Sequence, residues 1–385
     1  MLLFRDGPIA PLVDELDRWR AKLDYRGALP RTWAGRLRRD LEVESVAAST
    51  IMEGVPVTVE EVRRILAGDR PLRVSEVDAE LVAGYRDAMG YALRRADDPG
   101  FRWDRELLTA VHDRVFGGHY DLGAGRLRTK AAWVADREAG VQVFAPPDPD
   151  GVPDLVDGAC AALANEARHP AVVSAWVHVA VAAIHPFRDG NGRTARVLAS
   201  LAMLRGGFKR PEFTSLEEWW GRHLTDYYAA FACLGATFYE DADVTPFIEA
   251  HLEAQLHQVR ALDLRERTQR LIWQATESVV EACSLKRRVA NALWDGFFGR
   301  EITPRAYRSL VNVAVATATS DLTRATGAGL LAAQGEGRSR TYGCGPALYG
   351  AVAAEFGLDV PDEPEQARER IVSWATEAAL RQESE

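Results

Sequence analysis

The sequence predicts an all-α protein that contains one small β-hairpin and ends in a winged helix–turn–helix domain. Three observations support this. Apolar residues recur at helical spacing along most of the chain, and capping residues mark several helix starts. One segment, 131–144, has two short apolar runs on either side of a polar turn. Near the C-terminus, helical patterns at 304–312 and 317–326 precede a strand at 329–331, a Gly/Arg/Ser turn and a second short strand.

The bulk composition limits the class of protein. A length of 385 residues suggests two or three domains, and a hydrophobic fraction of 47% is enough for a proper core. The net charge of −9 gives no general signature for binding nucleic acid or an anionic membrane. The N-terminus lacks the apolar core of a signal peptide, and the apolar stretches are too short to span a bilayer. Four scattered cysteines without metal-binding spacing fit a reducing compartment, so we expect a cytoplasmic protein that does not bind membranes.

The first helices are predicted from their caps. Thr58 and Glu61 form a capping-box pattern, and Gly68 ends the helix that follows. Ser75 begins a second helix. Residues 103–116 repeat apolar positions at helical spacing and predict a third.

The middle of the chain passes from the hairpin to apolar helices. The hairpin strands are predicted at 131–134 and 141–144. Two apolar helices are predicted over 170–184 and about 191–206, and more helix from 216 to about 281. The short polar loop between the two apolar helices carries most of the chemistry.

That loop, HPFRDGNGRTAR from His185 to Arg196, contains a candidate anion site. Gly190 and Gly192 bracket Asn191 at the point where the loop turns into a helix. Free N–H groups at a helix start bind phosphate, helped by the helix dipole. The glycines would let the backbone approach an anion closely.

Charged side chains flank this site. Arg193 and Arg196 are three residues apart on one helix face, where they could contact successive phosphates. Asp189 could hold a Mg²⁺ ion that bridges phosphates. His185, at the end of the preceding helix, could act as a general base on an incoming hydroxyl. Each feature alone is more often a cap, a turn or a solvated face, but together they suggest phosphoryl or nucleotidyl transfer.

The same residues resemble the Fic family signature, HPFx(D/E)GNGRxxR, at every fixed position. The resemblance extends over roughly residues 4–252. The segment 131–144 resembles the family's flap, which lies over the target protein and holds it by strand addition. The stretch GRLRT at 125–129 resembles the sequence just before the flap, and DYY at 226–228 resembles the paired tyrosines near the adenine pocket.

The resemblance implies an enzyme, a protein adenylyltransferase that moves AMP from ATP to a Ser, Thr or Tyr hydroxyl of a target protein or of itself. His185 would deprotonate the hydroxyl, and Asp189 would hold Mg²⁺ against the α- and β-phosphates. Phe187 would pack into the core and pin the loop. Kinase-like relatives carry lysine where this chain has Gly192, which favours AMP transfer here. The nucleotide-binding residues are a carboxylate, a glycine nest with its asparagine, two arginines for the β- and γ-phosphates in that order, and a tyrosine: Asp189, Gly190, Asn191, Gly192, Arg193, Arg196 and Tyr228.

The segment ASTIMEG, at 48–54, fits the family's inhibitory pattern (S/T)xxxE(G/N), with Ser49 and Glu53 at the fixed positions. A plain helix end capped by Gly54 is the alternative. The resemblance implies that Glu53 pairs with Arg196 and replaces its γ-phosphate contact, so that ATP binds unproductively. In some relatives the same glutamate positions a water that removes AMP from the target, and the sequence leaves that role open.

The C-terminal region resembles a winged helix–turn–helix domain, with its recognition helix at 315–324 and its wing at 336–342. Between residues 300 and 340, six arginines stand against three acids, a local charge of +3 in a chain of −9. A basic surface of this kind suits contacts with DNA phosphates. A protein-binding or dimerisation module is the alternative.

Three functions therefore stay open. The leading hypothesis is an autoinhibited AMP-transferase, and the resemblance suggests a homodimer that gates the inhibitory helix, as in many relatives. The alternatives are an enzyme that removes AMP or transfers another nucleotide, and an ATP-sensing DNA-binding regulator, against which the intact His185 argues.

We expect five parts along the chain: an N-terminal helical region with the inhibitory motif (1–105), a catalytic core (106–260), a helical connector (261–295), a winged-helix-like domain (296–345) and a C-terminal helical tail (346–385).

Overall fold

The computed structural model describes residues 2–25, 31–117, 119–135, 140–164, 168–337 and 340–384. The described chain is mostly helical, with two small antiparallel sheets of two strands each, as the sequence predicts. It divides into two compact units, Met1–Arg260 and Ala261–Glu385. The finer five-part division stays a prediction. Within the described residues, no helix is both long and apolar enough to cross a bilayer.

The helices of the first unit begin and end close to where their caps predict. Thr58 and Glu61 make both hydrogen bonds of a capping box, and Ser75 accepts a hydrogen bond from the N–H of Asp78. In chain order the helices that begin in the first unit are α1 (Asp6–Tyr25), α2 (Arg31–Met52), α3 (Val59–Leu66), α4 (Glu76–Ala96), α5 (Arg105–Val115), α6 (Val152–Ala164), α7 (Pro170–Ile184), α8 (Asn191–Arg205), α9 (Leu216–Arg222), α10 (Leu224–Ala230) and α11 (Thr245–Ala282).

The hairpin and the long C-terminal helix differ in detail from their predictions. The strands β1 (Val134–Ala135) and β2 (Gln142–Phe144) are shorter than expected, and the predicted turn residues 136–139 lie outside the described part. The helix predicted from 216 onward is broken into α9, α10 and α11. Gly235, with φ 69° and ψ −158°, follows α10 and its 3₁₀ extension in a conformation that only glycine adopts readily.

The antiparallel pair α7 and α8 forms the centre of the first unit. All but two of the side chains in α7 are buried, and α8 is buried almost throughout because it also packs against α4, α5 and α2. A helix that is apolar all round can be stable only where it is covered on every side. The loop that joins α7 to α8 is consequently held at the end of the best-packed part of this unit.

The second unit contains two short helices followed by a hairpin. α13 begins at Pro304 with Thr303 as its cap, and Asn312 turns the chain in the left-handed conformation before α14. Ile302 pairs with Tyr342 as an extra antiparallel bridge beside the hairpin. The strand predicted at 329–331 begins later because Gly329, at φ 72°, is still part of the turn. The elements are α12 (Ala290–Phe297), α13 (Pro304–Val311), α14 (Val315–Gly327), β3 (Leu331–Gln334), β4 (Thr341–Cys344), α15 (Leu348–Glu355) and α16 (Pro364–Ser384).

The order of α13, α14 and the β3–β4 hairpin is that of a helix–turn–helix with a wing, and its identity as a winged helix stays a prediction. The helix α15 lies in the predicted helical tail (346–385), ahead of α16. Arg338, one of the predicted wing arginines, lies outside the described residues.

Candidate nucleotide site

His185 caps α7 in a backbone conformation that is unusual for a residue with a side chain. Its φ and ψ are 50° and 57°, in the left-handed region, and its N–H bonds the carbonyl of Val181 at 2.9 Å. The Nε of Arg128 donates to the carbonyl of His185 at 2.8 Å. Burial lowers the pKa of the half-buried His185 ring, and the charge of Arg128 adds to that effect. The imidazole is therefore neutral at neutral pH, as a general base must be.

Asn191 fixes the shape of the loop with its side chain. Its Oδ1 accepts from the N–H of Phe187 at 2.9 Å, and its Nδ2 donates to the carbonyl of Phe187 at 3.0 Å. The sequence predicts Asn191 as a phosphate-binding residue. Its side-chain amide is already hydrogen-bonded to the backbone of Phe187, so its backbone N–H, at the start of α8, is the group left to bind a phosphate. Phe187 is fully buried, as predicted.

His112 of α5 is a structural support that sequence reasoning missed. Its ring stacks on Phe187 with centroids 3.6 Å apart and an interplanar angle of 4°. Nδ1 accepts from the N–H of Gly125 at 3.0 Å, so Nε2 carries the proton and donates to the carbonyl of Asp189 at 2.9 Å. Burial lowers the pKa of His112 to about 4, which keeps this ring neutral. The neutral ring of His112 thus supports the loop through its contacts with Phe187 and Asp189.

Two glycines make room at the start of α8. Gly190 precedes the helix at φ 74°, and a Cβ there would lie 2.3 Å from Cε2 of Phe116. A Cβ on Gly192 would lie 2.4 Å from Oε1 of Glu53. The carboxylate of Glu53 therefore rests against the first turn of α8, where the sequence predicts the phosphates.

Gly190→Ala is expected to destabilise the protein by about 2–4 kcal/mol, because it combines a strained left-handed backbone with a clash in a packed site. Gly123→Ala is the matched control, since Gly123 has φ 90° and open space around it. The control should lose only about 1–2 kcal/mol from backbone strain. Urea unfolding measures both free energies. Equal losses would show that the contact with Phe116 does not constrain the loop.

Arg193 is a buried cation with unused donors. It is 3% exposed, and its guanidinium lies 4.9 Å from the ring centroid of Phe116. Within the described part of the chain, its Nε and Nη1 have no hydrogen-bond partner. Burial lowers its pKa. Buried polar groups are normally hydrogen-bonded, so these donors fit an anion such as a phosphate.

Arg196 is fully engaged by the end of α2. Its Nε donates to Oγ of Ser49 at 2.9 Å, and its Nη2 donates to the carbonyl of Ser49 at 3.1 Å. The same Nη2 pairs with Oε1 of Glu53 at 2.8 Å, where the two side chains are 3% and 16% exposed. Its Nη1 donates to the hydroxyl of Tyr227 at 3.3 Å. Ser49 and Glu53 are one helical turn apart, so both face the same arginine.

Tyr228 lies beside the same helix end. Its hydroxyl donates to the carbonyl of Met52 at 3.3 Å, and its ring is 55% exposed. Tyr227 packs edge-on against it with centroids 5.3 Å apart. The predicted tyrosine pair thus contacts both Arg196 and the residue before Glu53.

Asp189 has the properties of a carboxylate that binds Mg²⁺ together with a nucleotide. It is exposed, and its Oδ1 accepts from the N–H of Gly190 at 2.6 Å, which leaves further acceptor capacity. No group of three or more His, Cys, Asp or Glu side chains in the described ranges could hold a metal by itself. Mg²⁺ is commonly bound by one or two carboxylates plus phosphate oxygens and waters, so Asp189 fits an ion that arrives with the nucleotide.

The fold and the site together define a helical protein in which a helix start suited to an anion lies beside a neutral histidine. Residues 102–203 match the family model described as Fic/DOC family. The chain therefore carries a Fic/DOC family domain over these residues. Its signature loop and most of the site lie in that range, whereas Ser49, Glu53 and Tyr228 lie outside it.

Several curated relatives carry the name of an enzyme, and two of them illustrate the similarity. The Protein adenylyltransferase Fic of Nematostella vectensis is 27% identical over 203 residues, which cover 51% of this chain and 45% of that protein. The Protein adenylyltransferase fic-1 of Caenorhabditis elegans is 32% identical over 157 residues, 39% of this chain and 27% of that protein. The chain thus spans less than half the length of these curated relatives.

Solved structures support the fold. A Fic family protein from Desulfovibrio desulfuricans G20 matches with a TM-score of 0.57 and 23% identity, over 88% of this chain and 96% of that chain. A Fic-1 structure from C. elegans matches with a TM-score of 0.52 and 22% identity, over 66% of this chain and 70% of that chain.

Proposed function

We propose that this protein is an autoinhibited protein adenylyltransferase, which transfers AMP from ATP to a hydroxyl of a target protein or of itself. The observation that carries the proposal is the arrangement at the start of α8. Arg193 keeps buried N–H donors without partners among the described residues, and Arg196 is paired with a carboxylate that touches the same helical turn. His185 ends the neighbouring helix. The names of the relatives agree with this activity.

In the proposed reaction, the neutral ring of His185 accepts the proton of the target hydroxyl. The hydroxyl oxygen forms a bond to the α-phosphorus of ATP, the bond from that phosphorus to the bridging oxygen of the β-phosphate breaks, and pyrophosphate leaves. Arg193 and the N–H groups at the start of α8 bind the phosphates. Mg²⁺ held by Asp189 would neutralise phosphate charge and orient the nucleotide.

Glu53 is the proposed brake. Its carboxylate takes the N–H of Arg196 that would otherwise meet the γ-phosphate, and it brings negative charge to a place suited to an anion. ATP must either displace this carboxylate or bind in another pose. The contact of Tyr228 with Met52 supports the same position of the helix end.

The target protein is proposed to dock on the hairpin of β1 and β2. A two-stranded sheet leaves an edge on each side, to which an extended segment of the target can add as a strand. Trp133 and Val143 are 65% and 47% exposed there and offer apolar contacts to such a segment.

Position-specific labelling of ATP tests this proposal against its alternatives. With Glu53→Gly, label from the α-phosphate should appear on protein, and label from the γ-phosphate should not. Transfer of the γ-label would instead assign a phosphoryl transferase. Loss of AMP from a pre-labelled protein, without incorporation, would assign an AMP-removing enzyme.

A second proposed function, DNA binding by the second unit, is favoured by the surface of α14. The exposed positions Thr319, Ser320 and Thr323 are neutral. The acid of this helix, Asp321, is 5% exposed and accepts two hydrogen bonds from Arg288, at 2.6 and 3.0 Å. A helix whose carboxylate is turned inward and neutralised can approach DNA phosphates without repulsion.

Replacing arginines on α13 is expected to weaken DNA binding. Arg305 and Arg308 are exposed there, so Arg305→Ala with Arg308→Ala should lower affinity for duplex DNA about equally across sequences and reduce the salt slope by about 1 per lost phosphate contact. A gel shift at moderate salt measures this, and the wing change Arg338→Ala with Arg340→Ala should act similarly. Arg287→Ala is the control, because Arg287 is exposed but already paired with Glu277. Equal binding by all variants, or none by the parent, would contradict a DNA-binding role.

A further inference from the structure

We propose that Arg128 is a positioning residue of the transfer reaction, which holds the base His185 and both ends of the hairpin in one fixed arrangement. This rests on the proposed function, because it gives Arg128 a role in AMP transfer. Arg128 lies between α5 and β1 and is 6% exposed.

The contacts of Arg128 join three separate stretches of chain. Its guanidinium donates to the carbonyls of His185 at 2.8 Å, Lys130 at 3.2 Å, and Pro147. Its own N–H donates to the carbonyl of Pro186 at 2.9 Å. Lys130 precedes β1 and Pro147 follows β2. One side chain therefore connects both ends of the hairpin to His185, the residue that would deprotonate the target.

Arg128 is a buried cation that is bonded to neutral groups. No ion pair to Arg128 is found among the described residues, and its hydrogen bonds go to neutral carbonyls. Burial lowers its pKa, with Asp148 acting in the opposite direction. Burying a cation without a carboxylate carries a free-energy cost that a hydrocarbon side chain would avoid. That cost is consistent with selection for the geometry it enforces, including the left-handed backbone of His185, which needs support from its surroundings.

The geometry requires a guanidinium. Its N–H groups project from a rigid plane in several directions, whereas lysine has a single nitrogen on a flexible stem. The substitution Arg128→Lys would keep the charge, but the single nitrogen could not reach all three carbonyls together. The substitution Arg128→Met would remove both the charge and the donors. The two substitutions therefore separate position from charge.

The charge of Arg128 affects the pKa of His185. The charged or polar groups that act on this ring are Arg128, Glu53, Asp189 and the carbonyl of Ala182. Arg128 lowers the pKa of His185, so a neutral side chain at 128 should raise that pKa. Because the base works in its neutral form, the acidic limb of the rate profile should move to higher pH with Arg128→Met and stay in place with Arg128→Lys.

The experiment compares Arg128→Lys and Arg128→Met in the Glu53→Gly background, using α-labelled ATP and acceptor proteins from a cell lysate beside self-labelling. We expect AMP incorporation to fall about tenfold to 100-fold in both variants, because small displacements of reacting groups have effects of this size. The Kd for ATP should stay within about twofold of the parent, since the phosphate-binding residues are unchanged. Arg205→Lys is the control: Arg205 also bonds backbone carbonyls, those of Arg95, Ala96 and Asp98, at the far end of α8.

The outcomes separate the two proposals. If Arg128→Lys transfers AMP at the parent rate, or loses rate, ATP affinity and folding stability in equal measure, the positioning role is wrong. If the Glu53→Gly parent itself incorporates no AMP, the proposed function fails, and the close contact of Arg128 with His185 is then tested by NMR titration of His185. Arg128→Met should raise the pKa of His185 while Arg205→Met leaves it in place. An unchanged titration would overturn the proposal.

Discussion

Glu53→Gly is expected to raise AMP transfer by about 100-fold to 1000-fold. The ion pair of Glu53 with Arg196 is 2.8 Å long and largely buried, so it is a charge-assisted bond in a medium of low dielectric constant. Separating a buried pair of this kind costs about 3–5 kcal/mol, and each 1.4 kcal/mol is a factor of ten in the population of the open state. Removing the carboxylate removes that cost and frees the arginine for the nucleotide.

Glu53→Gln is the matched control for this prediction. Glutamine has the same shape and can still accept a hydrogen bond from Arg196, but it carries no charge. Its rate should fall between those of the wild type and Glu53→Gly. The measurement is the initial rate of AMP incorporation at saturating ATP. If both variants label protein no faster than the wild type, Glu53 does not restrain this site.

His185→Ala, placed in the Glu53→Gly background, is expected to lower AMP transfer by about 100-fold to 10,000-fold, the usual contribution of a general base. ATP binding should persist, because the proposed phosphate contacts are Arg193, Arg196 and the start of α8 rather than the imidazole. Binding is measured by calorimetry and transfer by label incorporation. His169→Ala is the control, since His169 caps the opposite end of the same helix. A full rate without His185 would assign the proton to another acceptor.

The pH profile gives an independent check on His185. Its pKa is lowered from the ordinary value of 6.5, chiefly by burial, and only the neutral ring can accept a proton. The rate of Glu53→Gly should therefore stay level as pH falls through 6.5 and decline only below it. Glu53 raises this pKa in the wild type, so its removal moves the decline further toward acid. A midpoint above the ordinary value would contradict the assignment.

Much of the fold could be predicted because local chemistry is decisive there. The boundaries of α7 and α8 follow from Pro170 at the start of α7, a glycine-bounded loop at the start of α8, and a largely apolar sequence in α7. The pairing of Glu53 with Arg196 is different. These residues are 143 positions apart, and their pairing could be predicted only from the resemblance to the Fic family.

The parts that could not be predicted depend on tertiary contacts. Arg128 bonds backbone carbonyls, which leave no trace in the sequence, and His112 occupies an ordinary position in an amphipathic helix. The sequence predicts Asn191 as a phosphate-binding residue, but nothing local shows that its side chain bonds the backbone of Phe187. The homodimer expected from the resemblance stays a prediction.

In the proposed function, one site transfers AMP through His185 and is restrained by Glu53. The most direct test incubates wild type, Glu53→Gly and Glu53→Gly/His185→Ala with α-labelled ATP and Mg²⁺, and measures label on protein. We expect strong labelling with Glu53→Gly alone and little labelling with the other two. Equal labelling by wild type and Glu53→Gly, undiminished labelling without His185, or silence from all three despite ATP binding would contradict it.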